Sequence, residues 1–167
     1  KELKANQYRP IYFLQGEEPY FIDKLTKHIE NNVLEEHEKD FNQTIFYGKD
    51  SKPELILETA KRYPMMSEKQ VVIVREAQHL KSKLGEFKEY LENPQLSTIL
   101  VFNYKYGKLD GRTEIAKCFA QHCVFTSDKL KDYLVPDWIM KYVRSKGNGI
   151  SQRSAVLLSE YLGNDLQ

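Results

Sequence analysis

Ile11-Tyr12-Phe13-Leu14-Gln15-Gly16-Glu17-Glu18-Pro19-Tyr20-Phe21-Ile22-Asp23-Lys24-Leu25 is the stretch that decides the fold. Four apolar residues, a glycine, two acidic residues and a proline describe a buried strand that turns into a helix. In nucleotide-binding α/β proteins this junction carries G-x-x-x-x-G-K-[ST], whose backbone N–H groups cradle phosphate. Here Phe21 stands where the second glycine would, and Ile22 and Asp23 replace the lysine and the hydroxyl residue. Glu17 and Glu18 put negative charge where a triphosphate would sit. The stretch predicts a P-loop-like fold without the phosphate chemistry, in a protein that acts through contacts with partners.

Outward from this junction strands and helices alternate, the pattern of a parallel sheet covered by helices. Strands are expected at 11–14, 43–47, 71–74, 98–102 and 124–125. Residues 71–74 are an unbroken Val-Val-Ile-Val run, the signature of a strand buried on both faces. A helix over 19–33 presents Ile22, Leu25, Ile29 and Val33 on one face. Ser51-x-x-Glu54 forms a capping box, with Pro53 in the first turn of a helix that runs to about Tyr63 and is ended by Pro64. Leu80, Leu84, Phe87 and Leu91 mark an amphipathic helix. Asp110 caps another, which carries Ile115, Ala116, Phe119 and Ala120. After about Asp128 the strands stop. Pro136 opens a helix with Trp138, Ile139, Tyr142 and Val143, closed by Gly147. Ser151 caps a last one with Ala155, Leu158 and Leu162, closed by Gly163. An α/β domain over 1–128 thus precedes the start of a small helical domain over 129–167.

The chain has 167 residues and a formal net charge of +1, so no global field advertises nucleic acid or membrane. No apolar run approaches the ~20 residues that span a bilayer, and the polar opening does not resemble a signal peptide. Two cysteines, Cys118 and Cys123, are too few for a disulfide scaffold and suggest a reducing cytoplasm. Gly163-Asn164-Asp165-Leu166-Gln167 resembles the first turn of a further helix, so the chain is expected to be a fragment of a longer protein.

Nucleoside triphosphatases of this layout hold Mg²⁺ and the attacking water with acidic residues after a buried strand. Here the strand at 71–74 leads into Arg75-Glu76, and an arginine repels the metal. Between the helix before it and this strand lies Tyr63-Pro64-Met65-Met66-Ser67-Glu68-Lys69-Gln70. Two adjacent methionines in a loop fit an adaptable docking tip. They also fit a fold-back that caps the edge of the sheet. Lys105, Lys108 and Arg112, interleaved with Tyr104 and Tyr106, are the candidate nucleic-acid contacts, with an exposed loop of ordinary charges as the alternative.

Cys118, His122 and Cys123 lack a second ligand pair, so no metal site is expected. The histidines lack a Ser or Cys partner motif, and Glu17, Glu18 and Asp23 suit capping better than acid/base work. No catalytic residue and no cofactor are expected. Two rival functions are an atypical P-loop ATPase or small kinase and a nucleic-acid-binding scaffold with a P-loop-like fold.

Several stretches together resemble the delta subunit family of bacterial DNA polymerase III. They are residues 11–20, residues 64–74, Lys108-Leu109-Asp110-x-Arg112-Thr113, Trp138-Ile139, residues 147–150 and Leu162-Gly163-Asn164-Asp165-Leu166. The resemblance implies a degenerate AAA+ α/β domain, a truncated lid-like helical domain and an absent collar domain. It implies a clamp-loader subunit that binds and opens the sliding clamp in DNA replication without ATPase activity of its own. Met65 and Met66 would occupy the positions of the family's clamp-binding pair, usually Leu-Phe, supported by Pro64, Ser67 and Gln70, with polar rim contacts from Ser67, Glu68, Lys69 and Gln70. The implied partners are the clamp (beta subunit), the ATP-binding motor subunits, delta-prime, and DNA through the assembled complex, with no membrane. Nucleotidyltransferase activity would belong to the DNA polymerase holoenzyme, in a cytoplasmic, nucleoid-associated replisome.

Overall fold

Apolar runs become strands wherever both faces can be covered. β1 (Ile11–Gly16), β2 (Gln43–Tyr47), β3 (Gln70–Arg75), β4 (Thr98–Lys105) and β5 (Cys123–Ser127) form one sheet in the order β2-β3-β4-β1-β5. Every pairing is parallel, with Ile11 and Val72 both opposite Leu100. The structure, a computed structural model, describes residues 2–163 and 166. It divides into two units, Lys1–Ser127 and Asp128–Gln167.

In the first unit the two-residue period of the strands sorts side chains onto two faces. Ile11, Phe13, Val72, Val74, Leu100 and Phe102 pack on one, with Leu84, Phe87 and Phe119. Tyr12, Leu14, Val71, Ile73, Ile99 and Val101 pack on the other, with Ile22 and Ile29. Ring contacts tighten the first face: Phe13 lies 4.2 Å from Phe119, and Phe87 meets Phe102 edge-on at 5.1 Å. Each fully buried Leu, Ile or Phe contributes roughly 1.5–3 kcal/mol of apolar burial. The expected α/β class, a parallel sheet with flanking helices, is the one observed.

α1 (Pro19–Asn32) starts on proline, whose missing N–H costs nothing there, and buries Ile22 and Ile29. α2 (Glu36–Asn42) was not expected from the sequence. Its start is a reciprocal box, in which the Glu38 carboxylate accepts the Glu35 N–H at 2.8 Å. α3 (Pro53–Ala60) has Lys52 at its N-cap in place of the expected Ser51 box. The Ser51 N–H instead closes a turn onto the Tyr47 carbonyl, which places that residue outside the helix. α3 also ends before Tyr63, because its last carbonyls are taken by the Gln70 and Thr98 side chains.

Leu80, Leu84, Phe87 and Leu91 are all buried as expected, but most of their helix is wound as 3₁₀ over Ala77–Phe87, followed by α4 (Lys88–Glu92). Apolar spacing dictates which face is covered and leaves the winding open. α5 (Glu114–Ala120) is capped by Thr113, whose hydroxyl accepts the Ala116 N–H, and not by Asp110. The Asp110 carboxylate is occupied by Arg112 at 2.7 Å.

The second unit holds α6 (Val135–Ser145) and α7 (Gln152–Leu162). Ser151 caps α7 as expected, and Gly147 (φ 79°) supplies the left-handed residue after α6. The core of this unit is Val135, Ile139 and Ala155, with Trp138 and Val143 packed against it. Leu158 and Leu162, expected on the buried face, are exposed. The further helix turn expected at 163–167 lies outside the described residues except for 163 and 166.

Candidate functional site

At the amino-terminal edge of the sheet the chain makes a tip between α3 and β3. Met66 protrudes completely, at 101% relative exposure, and Met65 at 61%, so neither folds back to cap the sheet. Met66 has φ 52°, a left-handed conformation uncommon for a side chain of this size. The backbone on either side of it is held. The Met65 N–H donates to Asn42 Oδ1 at 2.7 Å, and Asn42 Nδ2 donates to the Met65 carbonyl at 2.8 Å. The Ser67 hydroxyl donates to the Lys69 carbonyl at 3.0 Å, and Lys69 Nζ reaches the Leu96 carbonyl at 3.0 Å. Pro64 is half-buried and Glu68 exposed. Tyr63 and Leu96 are exposed and line a shallow groove with Pro64, Ser67 and Pro94.

Gln70 does not belong to a polar rim. It is buried, and its Nε2 lies against the carbonyls of Thr59, Ala60 and Arg62 and the Thr98 hydroxyl. A carboxamide at the first position of β3 faces the open end of α3, where carbonyls lack helical partners. It helps to fix where α3 stops.

At the opposite, carboxyl-terminal edge lies the junction a nucleotide would use. Gly16 has φ 140°, and a Cβ there would sit 2.0 Å from the Ser127 carbonyl oxygen, so the turn is pressed onto the end of β5. Glu18 is buried, and its carboxylate accepts the Tyr20 N–H at 2.9 Å. A side-chain anion therefore occupies the positive end of α1, where phosphate binds in nucleotide sites. Arg75, at the metal-binding position, pairs with Glu30 at 3.1 Å, and Lys105 pairs with Asp23 at 2.7 Å. Arg75, Lys105 and Asp23 border a cavity of about 300 Å³ that Thr26, Lys27, Tyr47 and Glu76 also line.

Two of the three basic candidates are engaged by carboxylates, and Lys108 is exposed. Lys105 is turned to Asp23, and Arg112 is forked onto Asp110, whose carboxyl it holds below the ordinary range. Tyr104 is buried, which raises its hydroxyl above the ordinary value, while Tyr106 is exposed at φ 61°. A stacking platform needs open aromatic faces beside unpaired cations. His122 Nε2 contacts the Leu91 carbonyl at 2.7 Å, and Cys118 is buried. No group of three or more His, Cys, Asp or Glu among the described residues is arranged to hold a metal ion. No helix among them is long and apolar enough to cross a membrane.

A family model described as DNA polymerase III, delta subunit, matches residues 12–128. The chain belongs to the DNA polymerase III delta subunit family. The DNA polymerase III subunit delta of Bacillus subtilis (strain 168) is 25% identical over 138 residues, which are 77% of this chain and 40% of that protein. The solved structure of a Bacillus subtilis DNA clamp loader delta protein superposes with a TM-score of 0.79 at 24% identity, over 95% of this chain and 50% of that one. The chain therefore spans half or less of the length of these relatives.

Within this delta-family chain, the residues that sequence reading missed are Asn42 and Glu38. They lie on the short α2, which has no periodic apolar stripe and whose one aromatic residue, Phe41, is 70% exposed. The available signal was Glu35-x-x-Glu38, which is the reciprocal cap of that helix.

Proposed function

We propose that this chain is the clamp-binding part of a clamp-loader delta subunit, and that Met65 and Met66 are its anchor. The observation that carries the proposal is the tip itself. Two adjacent apolar side chains are held out from a hydrogen-bonded backbone, one of them fully exposed. Side chains this exposed add little to the fold of the free protein and are available to an apolar pocket on a partner. On this reading the partner is the sliding clamp (beta subunit). Contacts made better with the opened ring than with the closed one would shift the ring toward opening.

The rest of the molecule suits a degenerate AAA+ module, with an α/β domain to about residue 128 and the start of a lid-like helical domain from 129. The Glu18 carboxylate on α1 and the Arg75–Glu30 pair favour a subunit that leaves ATP to neighbouring motor subunits. Delta-prime, and DNA through the assembled complex, complete the set of partners in a cytoplasmic replisome. Any nucleotidyltransferase activity belongs to the polymerase holoenzyme. The ion pairs of Lys105 and Arg112 do not favour the rival of a nucleic-acid scaffold.

Burial of each methionine is worth roughly 1.5–3 kcal/mol, the range of interface hot spots. The test is binding of this chain to the sliding clamp of the same organism, beside a Met65→Ser/Met66→Ser double variant. The expected result is micromolar or tighter binding that the variant weakens by ~100-fold or more. Equal binding by both proteins would move the anchor elsewhere. Absence of binding by the folded wild type would remove the clamp from the proposal.

A further inference from the structure

We infer that α2 is a bracket that presets the shape of the tip, with Asn42 as its positioning residue. The geometry stands independently of what the tip binds, and the effect on a partner rests on the clamp-binding reading above. Asn42 is 3% exposed and uses both ends of its carboxamide on one residue, taking the Met65 N–H and giving to the Met65 carbonyl. Nδ2 also donates to the Glu38 carbonyl one turn back, at 3.2 Å. These contacts employ the side chain as a strand-like partner for a loop 23 residues away. They serve no group of the sheet.

Glu38, one turn earlier on α2, steadies Asn42: its carbonyl takes the Nδ2 contact, and its carboxylate accepts the Glu35 N–H at 2.8 Å at the start of the helix. Accepting that N–H holds its carboxyl below the ordinary range. The bracket thus holds Met65, while Ser67 on the other side of Met66 is tied to the Lys69 carbonyl at 3.0 Å. Between them Met66 adopts φ 52°, a conformation that persists only where the surroundings over-determine it. A free loop would have to be ordered at the moment of docking, which weakens apparent affinity by the fraction of time the competent shape is populated. The bracket removes that loss in advance.

The experiment uses the full 167-residue chain, with single-residue amide exchange as the first readout and clamp association as the second. In the wild type the Met65 N–H is expected to be protected although it lies in a surface loop. In Asn42→Ala it should exchange about tenfold faster or more, while the amides of Val71 to Val74 keep their wild-type rates. Asn42→Asp keeps an acceptor for the N–H but loses the donor, and should fall between. If the tip is then competent for only about a tenth of the time, Asn42→Ala binds the clamp about tenfold more weakly with both methionines intact.

An unprotected Met65 amide in the wild type would overturn the inference. So would equal acceleration of the Val71 to Val74 amides, which shows general loosening, or wild-type clamp affinity in a variant whose tip exchanges faster. Should Asn42→Ala not fold, the wild-type protection and Asn42→Asp decide. Should the wild type not bind the clamp, the function proposed above fails, and exchange at Met65 still decides the bracket.

Discussion

Gln70→Leu separates a buried support from a surface contact. Leucine keeps nearly the same volume but removes the carboxamide that faces Thr59, Ala60 and Arg62 at the end of α3 and the Thr98 hydroxyl. An amide nitrogen has two hydrogens, so about two of these four contacts are made fully at once. The Ala60 carbonyl keeps the Thr98 and Tyr90 hydroxyls as donors in the variant. The Arg62 carbonyl loses its donor. Two net hydrogen bonds at about 1 kcal/mol each, with a partly orphaned carbonyl, give an expected loss of about 2–3 kcal/mol. With a urea slope of ~2 kcal/mol/M the unfolding midpoint should fall by roughly 1 M or more. At temperatures where the variant is still folded, its clamp affinity should stay within about threefold of wild type. An unchanged midpoint together with a tenfold loss of clamp affinity would refute the reasoning and return Gln70 to the rim.

Gly16→Ala should destabilise the chain by about 2–4 kcal/mol in thermal unfolding, because its Cβ would meet the Ser127 carbonyl at φ 140°. Gly85→Ala, where a Cβ meets nothing within 4 Å, should leave stability within about 0.5 kcal/mol. Burial raises the Cys123 thiol above its ordinary value of 9.0, opposed by Arg9. The neutral thiol is therefore the folded form. That stability is fully present below pH 9.0 and is lost as pH climbs through the raised value. Alkylation of Cys123 at pH 8 should be slower than that of a free cysteine, and its rate should still be climbing above pH 9; a plateau below that pH would contradict the burial.

The strands were legible because burial on both faces writes itself into composition. The Val-Val-Ile-Val run is the clearest case, whereas 43–47, a half-buried edge strand, is legible from its Thr, Ile, Phe and Tyr content. Boundaries were less legible wherever a distant side chain decides them. Gln70 and Thr98 stop α3 from across the sheet, and Thr113 outcompetes Asp110 because Arg112 has already claimed the aspartate. The location of the tip was legible as a proline and two methionines in a loop. Its exposure was not, since an apolar pair fits a folded-back cap equally well. The bracket was hidden because Asn42 is an ordinary polar residue until the fold sets it against Met65.

The placement of β1 in the sheet has a consequence for how the chain is made. Among the described residues β1 pairs with β4 and β5, and its first residue, Ile11, is opposite Leu100. Once made, β1 therefore waits for nearly ninety residues before either of these neighbours exists. At about 5–20 residues per second that is several seconds or more with Ile11, Phe13 and Leu14 uncovered. A chain cut short before Thr98 would never seal this strand. Such products should be found in aggregates or bound to chaperones, and the nascent protein should depend on holding factors more than a sheet of sequential hairpins would.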